Sequence, residues 1–419
     1  MSDFLLQMFF EKPRWETAIQ TGFEKQMKRS LLKELCTTEA RLKLYRKIQD
    51  GNYVIEPPHE ARIPKEDGSY RTVYVNENTD RIILSIVNDM FFDLCPEKIH
   101  PNCLSYQKHI GCGKIVQKVS NVIQHMEQPV IGVKIDLSKY FDSVPIRYID
   151  EIFNSIEVKY GQSKLLNIIK TYYHTDTVID INKNIVQKYS SLRQGCAIAA
   201  FLADAVLYDI DKAVSELNVC YFRYSDDILI VGEEWQTAYD LLQKMLAEKE
   251  LVLNPKKVEI LYKNRWFKFL GFNIKNNAIS LSGTRVKSFQ KEIELRTIKG
   301  NMHDMQVVLK NVNSYLYKGD GTYSWATSVL PVINVEKDIH ALNAFVMDAI
   351  RAAVTRKTRI GGLGVNKTGT EQNITRGLGK NVRSNREKIP KIPNYMTVMC
   401  MRNAIVTAKP VYDTLVRQM

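Results

Sequence analysis

Cys220-Tyr-Phe-Arg-Tyr-Ser-Asp-Asp-Ile-Leu-Ile-Val-Gly232 is the stretch from which the rest of the chain is read. Two apolar runs flank a short polar turn, and the turn carries adjacent carboxylates, Asp226 and Asp227. Val, Ile, Tyr and Phe fit a pleated, half-buried surface, so the stretch predicts a β-hairpin with both aspartates at its tip. Carboxylates side by side at the end of buried strands repel one another and lose hydration; a bound cation relieves both costs. Taken alone, Asp-Asp also suits an ordinary solvated turn. Other segments have to decide.

Upstream, Pro129-Val-Ile-Gly-Val-Lys-Ile-Asp136 predicts a core strand that stops at a carboxylate. Such a group is costly to bury unless it is paired or binds metal, although it could instead cap a following helix. Between the two strands, Ser190-Ser-Leu-Arg-Gln194-Gly195 reads as a polar loop feeding an apolar helix. Small residues at 197, 199, 200, 203 and 205 allow a backbone or a base pair to approach that helix closely. Earlier still, Asp67-Gly68 marks a hairpin with Lys65 before the turn and Arg71 after it. Cations on a projecting hairpin can neutralise triphosphate oxygens, though exposed hairpins commonly carry charge in any case. Downstream come an amphipathic helix over 235–249, the run Asn254-Pro-Lys-Lys257, and a second hairpin around Gly271 in Trp266–Ile274.

The 419 residues are 45% hydrophobic and 25% charged, which suits a globular chain of two or three subdomains. A formal charge of +13 points to a polyanionic partner, nucleic acid ahead of an anionic membrane surface. No apolar run approaches the ~18 residues of a spanning helix. The N-terminus has an apolar patch without a basic leader and reads as a packing helix of a cytosolic protein. The seven cysteines form no Cys-x-x-Cys pair, so neither a zinc site nor a disulfide framework is indicated. Gly111-Cys-Gly113-Lys114 looks like a phosphate loop but lacks the leading Gly and the Mg-binding Ser or Thr.

A cationic hairpin, a strand ending in Asp136, a Gln-Gly loop, the Asp-Asp hairpin, Asn-Pro-Lys-Lys and Phe-Leu-Gly-Phe occur in that order. So arranged, the chain resembles a reverse transcriptase, with Tyr224-Ser225-Asp226-Asp227 matching the family's Tyr-x-Asp-Asp box. The resemblance covers about residues 55–275. It implies an α+β right-hand polymerase in which an antiparallel sheet packs on helices. A basic helical extension would span 1–53, fingers 54–128 and palm 129–275, with fingers interleaving at 146–190. A helical thumb would follow over 276–355, then a basic Gly-rich segment and C-terminal helix over 356–419.

By the same resemblance, Asp136, Asp226 and Asp227 would be catalytic and would hold two Mg²⁺ ions, with Mn²⁺ as an alternative. Lys65, Arg71, Phe141, Gln194 and Lys257 would contact the incoming dNTP, Phe141 as the bulky ring that excludes a 2′-hydroxyl. Gly195 and the run Phe269, Leu270, Gly271 and Phe272 would support template and primer. The chain departs from intron-type enzymes in having Arg193 before Gln-Gly and Ala199-Ala-Phe-Leu-Ala-Asp204 after it. That variant is similar to the bacterial stand-alone, anti-phage defence-associated reverse transcriptases that copy a neighbouring non-coding RNA. The implied partners are a structured RNA template, the cDNA product and dNTPs, in the cytoplasm and without a membrane; the oligomeric state stays open. A retron or group II intron-type enzyme or maturase, a template-independent or protein-primed polymerase, and a non-enzymatic RNA scaffold are the alternatives. The intact aspartates speak against the last.

Overall fold

The computed structural model describes residues 3–24, 27–64, 68–106, 111–188, 191–300, 303–318 and 324–354. Its contacts divide the chain into two compact units, one of residues 1–107 and 132–260, the other of 108–131 and 261–419. Helices and largely antiparallel sheets make it α+β, the class that the resemblance implies. No helix among the described residues is long and apolar enough to cross a membrane.

The first unit opens with four helices: α1 (Phe4–Phe9), α2 (Lys12–Glu24), α3 (Arg29–Leu35) and α4 (Thr38–Gln49). Asp3 and Thr37 cap α1 and α4 by accepting the Leu6 and Ala40 N–H groups, the usual satisfaction of first-turn donors. Strands β1 (His59–Pro64) and β2 (Tyr70–Val75) form the hairpin that Asp67-Gly68 signals, while Lys65 and Asp67 lie outside the described residues. Helix α5 (Asn78–Leu94) follows; α6 (Cys112–His125) belongs to the second unit.

Strand β3 (Val130–Asp136) leads through α7 (Tyr140–Ser143) into α8 (Ile146–Tyr160) and α9 (Lys164–His174). The short strands β4 (Thr177–Ile179) and β5 (Ile185–Gln187) then join the first hairpin, giving the order β2-β1-β4-β5. The apolar helix after the Gln-Gly loop is in fact two, α10 (Ala199–Ala205) and α11 (Tyr208–Ser215). Next come β6 (Cys220–Tyr224), β7 (Asp227–Val231), α12 (Trp235–Glu248) and β8 (Glu259–Tyr262).

β6, β7 and β3 are successive antiparallel neighbours in a four-stranded sheet completed by β8. Val133 and Ile135 of β3, with Ile228 and Ile230 of β7, are buried in one apolar cluster with Val87 and Phe91 of α5, Phe153 of α8, Phe201 of α10 and Leu242 of α12. Alternation turns these side chains to one face of the sheet, and Asp136 and Asp227 are the last pair of the ladder. Gly132 lets β3 and β7 close: a Cβ there would stand 2.0 Å from the Ile230 carbonyl oxygen.

In the second unit, β9 (Phe267–Phe269), β10 (Phe272–Lys275) and β11 (Ala278–Leu281) form an antiparallel sheet in the order β11-β10-β9. The sequence reading finds the β9–β10 hairpin and misses β11. Ser120 of α6 donates to the Asn276 carbonyl at 2.9 Å, and α6 buries Ile115, Val116, Val119 and Ile123. Helices α13 (Gly283–Arg296), α14 (Met305–Asn313), α15 (Trp325–Ser328) and α16 (Glu336–Val354) carry buried Phe289, Ile293, Val308, Val312, Val346 and Ile350. The basic Gly-rich stretch and the C-terminal helix expected after 356 lie outside the described residues.

Candidate active site

The site is built where three chain segments end. Asp136 closes β3 and is the register partner of Asp227, which opens β7. Tyr224 pairs with Asp227, leaving Ser225 and Asp226 as the two-residue turn between β6 and β7. Ser225 takes a left-handed conformation at φ 58°. The Leu137 N–H donates to the Asp226 carbonyl at 3.2 Å, tying the exit of β3 to that turn. All three aspartates therefore sit at one edge of the sheet, on backbone held by the core beneath.

The Asn-Pro-Lys-Lys run contributes a counter-charge. The Asn254 N–H donates to the Asp136 carbonyl at 2.9 Å, and the Asn254 side chain accepts the Lys256 N–H at 3.2 Å. This fixes a single 3₁₀ turn, Pro255–Lys257, from which Lys257 Nζ donates to Asp136 Oδ2 at 2.7 Å. Lys257 is largely exposed whereas Asp136 is 9% exposed, so the ion pair is half in water.

Burial pushes the Asp226 carboxyl above the ordinary carboxylate range; the neighbouring Asp136 and Asp227 push it further, and Lys257 opposes them. Carboxylates brought to one place, with Asp226 resisting ionisation, offer the oxygen donors that a hard divalent cation takes, and an ammonium already sits on Asp136. Among the described residues, no three Asp, Glu, His or Cys side chains stand as a ready-made metal cage.

The other predicted residues fall in three places. Tyr74 of β2 donates its N–H to the Gln194 carbonyl at 2.7 Å. A Cβ on Gly195 (φ 100°) would stand 3.0 Å from the Tyr74 oxygen, so the Gln-Gly loop is stitched to the strand that carries exposed Arg71. Phe141 lies in α7, five residues after Asp136, half-buried and edge-on to Tyr140 at 5.7 Å. Tyr140 is itself buried and donates to the Ala203 carbonyl at 2.6 Å. Phe269, Leu270, Gly271 and Phe272 lie in the second unit: the two rings are buried, and Leu270-Gly271 makes the β9–β10 turn. Lys65 is outside the described residues.

Sequence reasoning misses the support beneath the Asp-Asp turn. Arg223 is fully buried in β6 and donates to Asp211 Oδ1 at 2.7 Å and Oδ2 at 2.5 Å. It also reaches the Asp204 backbone carbonyl at 2.9 Å and carboxylate at 3.5 Å. Tyr221, two residues back on the same strand face, donates to Asp211 Oδ1 at 2.6 Å. Burial raises the Asp204 carboxyl to about 6, while Arg223 opposes the rise. The available signal is an arginine at a core position of a strand, which demands a buried acid, and two aspartates seven apart in an apolar helical stretch.

The family model described as "Reverse transcriptase (RNA-dependent DNA polymerase)" matches residues 63–274. Similar curated proteins include the COX1/OXI3 intron 2 protein of Saccharomyces cerevisiae, 24% identical across 41% of this chain and 19% of that protein. The Retron Ec73 reverse transcriptase of Escherichia coli is 26% identical across 42% of this chain and 53% of that protein. The chain thus spans about a fifth and about half of these relatives. Among solved structures, telomerase from Candida albicans with a fragment of telomeric RNA matches 75% of this chain and 61% of its own at 11% identity and a TM-score of 0.41. Apo telomerase from Candida tropicalis, truncated from the C-terminal domain, matches 55% and 56% at 12% identity and a TM-score of 0.38.

Proposed function

The chain belongs to the reverse transcriptase family, and from that premise we propose that it polymerises deoxynucleotides on an RNA template. The observation that carries the proposal is the meeting of Asp136, Asp226 and Asp227 at one sheet edge, with Lys257 on Asp136. Asp136 and Asp226 would hold two Mg²⁺ ions, or Mn²⁺, with Asp227 beside them. When bound, the ions supply Lewis acidity to the primer 3′-hydroxyl and the triphosphate. Lys257 brings an ammonium to the same edge, where it balances charge on the departing pyrophosphate.

Lys65 and Arg71 grip the triphosphate, and Phe141 lies beneath the sugar and selects dNTPs. The Gln194-Gly195 loop supports the templating pair, and Phe269–Phe272 the primer end. In this reading 54–128 and part of 146–190 are fingers, 129–275 the palm and 276–355 the thumb. Primer extension on an RNA template with dNTPs tests the activity; a protein that binds RNA yet adds no nucleotide to any primer contradicts it.

We propose further that the template is a dedicated structured RNA and that the enzyme serves bacterial anti-phage defence in the cytoplasm. The departures from the intron pattern support this. Arg193, where a proline is usual, is buried at φ 58°, stacks on the Tyr172 ring at 4.3 Å and donates to the Thr175 carbonyl. Sequencing the RNA that co-purifies with the protein tests it: one enriched transcript supports the reading, and a random pool contradicts it. The retron relative favours a second reading, a retron-type enzyme, which predicts a branched RNA–DNA product instead.

A further inference from the structure

Ser105 stands between the Asp-Asp turn and the buried charges beneath it. Its segment runs along the open edge of β6: the Arg223 N–H donates to the Asn102 carbonyl at 3.0 Å, and the Leu104 N–H to the Arg223 carbonyl at 2.8 Å. Cys103 thereby makes a parallel bridge to Arg223. One step further, side chains replace backbone. The Ser225 N–H donates to Ser105 Oγ at 2.8 Å, and Ser105 Oγ donates to Asp204 Oδ1 at 2.8 Å. A hydroxyl has one proton and accepting lone pairs, and here it uses both functions along one line.

The other end of Ser225 is held as well. Arg223 Nη1 donates to the Ser225 carbonyl at 3.3 Å, and that carbonyl belongs to the peptide leading into Asp226. Ser225 adopts φ 58°, a conformation that costs a non-glycine residue energy and persists only when its surroundings hold it. Ser105, Asp204 and Arg223 are all fully buried, so these bonds form away from competing water.

We propose that Ser105 is a positioning residue: its hydroxyl holds the Ser225 peptide in the left-handed turn and so sets the direction in which the Asp226 carboxylate leaves it. Ser105 touches neither substrate nor metal and acts through Ser225. The inference rests on the polymerase reading above. The competing account is that Ser105 only satisfies buried Asp204, in which case its loss costs stability and nothing else.

The test compares Ser105→Ala and Ser105→Thr with the core variants Ile152→Val and Ile152→Ala, which lower stability without touching the turn. All are assayed at a temperature where each is folded. Ser105→Ala should lower kcat by ~10- to 100-fold with the dNTP KM within about twofold, the effect of misplacing a reacting group by about 1 Å. Mn²⁺ binding to the protein without nucleic acid, read by electron paramagnetic resonance, should weaken by ~10-fold, as for other lost outer-shell partners. Ser105→Thr keeps the hydroxyl and should restore both to within about threefold of wild type. Ser105→Ala values of kcat and Mn²⁺ affinity that match the Ile152 variants overturn the proposal. Should Ser105→Ala not fold, Ser105→Cys, a near-isostere with a weaker hydrogen bond, carries the same comparison. A wild-type protein without polymerase activity would sink the functional reading, while the Mn²⁺ comparison would still decide the role of Ser105.

Discussion

Asp136 and Asp227 face each other as register partners across β3 and β7. Like charges directly opposite on adjacent strands destabilise a sheet, and here the Lys257 ammonium, 2.7 Å from Asp136 Oδ2, offsets that repulsion. Lys257→Met should therefore cost ~1 kcal/mol in metal-free buffer, a modest figure because the ammonium is exposed. Adding Mg²⁺ should raise the melting temperature of Lys257→Met by more than that of wild type, because the ion replaces the lost cation. Equal shifts in differential scanning fluorimetry would contradict the replacement of the Lys257 ammonium by the ion, and the absence of a shift in either protein would count against a cation site at this edge.

Phe141 follows Asp136 by five residues and presents a half-buried ring. If it lies beneath the incoming sugar, Phe141→Val opens room for a 2′-hydroxyl. Single-nucleotide insertion should then show ribonucleotide use rising ~10- to 100-fold relative to dNTP, the range that a change in pocket size commands. An unchanged ratio would place the ring elsewhere in the reaction.

Two glycines make graded stability predictions. A Cβ at Gly132 would meet the Ile230 carbonyl at 2.0 Å, so Gly132→Ala forces β3 and β7 apart and should cost upward of ~4 kcal/mol, leaving little folded protein. At Gly195 the nearest contact is 3.0 Å and the strain comes from φ 100°, so Gly195→Ala should cost ~1–3 kcal/mol. Urea denaturation monitored by circular dichroism should rank them in that order.

Asp204 gives a pH dependence of definite sign. Burial raises its folded-state carboxyl from 3.8 to about 6, so between those values the folded protein holds a proton that the unfolded chain has released. Its contribution is present below about pH 4, is lost as pH rises through about 6, and stays lost above that. The stability of wild type minus that of Asp204→Asn should accordingly shrink between about pH 4.5 and pH 6.5 and then level off. A gap that widens with pH in urea titrations would mean that Arg223 keeps Asp204 ionised throughout.

Much of this site is legible in the chain because its signals are local. The hairpin of 220–232 shows in the β-rich runs flanking a polar pair, and Asp136 shows because an apolar run stops at a charge. Asn254 and Lys257 are visible as a motif, but only the folded chain shows the ammonium on Asp136. Arg223 with Asp204 and Asp211, and Ser105 with Ser225, are tertiary pairings between segments up to 120 residues apart. No period or turn signal specifies them. Strand β11, four residues long, escapes for the opposite reason: too few positions to display an alternation. The grouping of α6 with residues from 261 onward is likewise a matter of packing, which spacing does not reveal.

The most direct test of the central claim is Asp226→Asn. The substitution keeps the shape of the turn and removes the charge. Single-turnover dNTP addition to a primer on an RNA template, with Mg²⁺ present, should fall by at least ~10³-fold, about 4 kcal/mol of transition-state stabilisation. RNA affinity measured on the same preparation should stay within about threefold, because in the proposed reading the substituted carboxylate would bind cation and not template. Nucleotide addition at the wild-type rate by Asp226→Asn would contradict the assignment of this hairpin as the catalytic metal site.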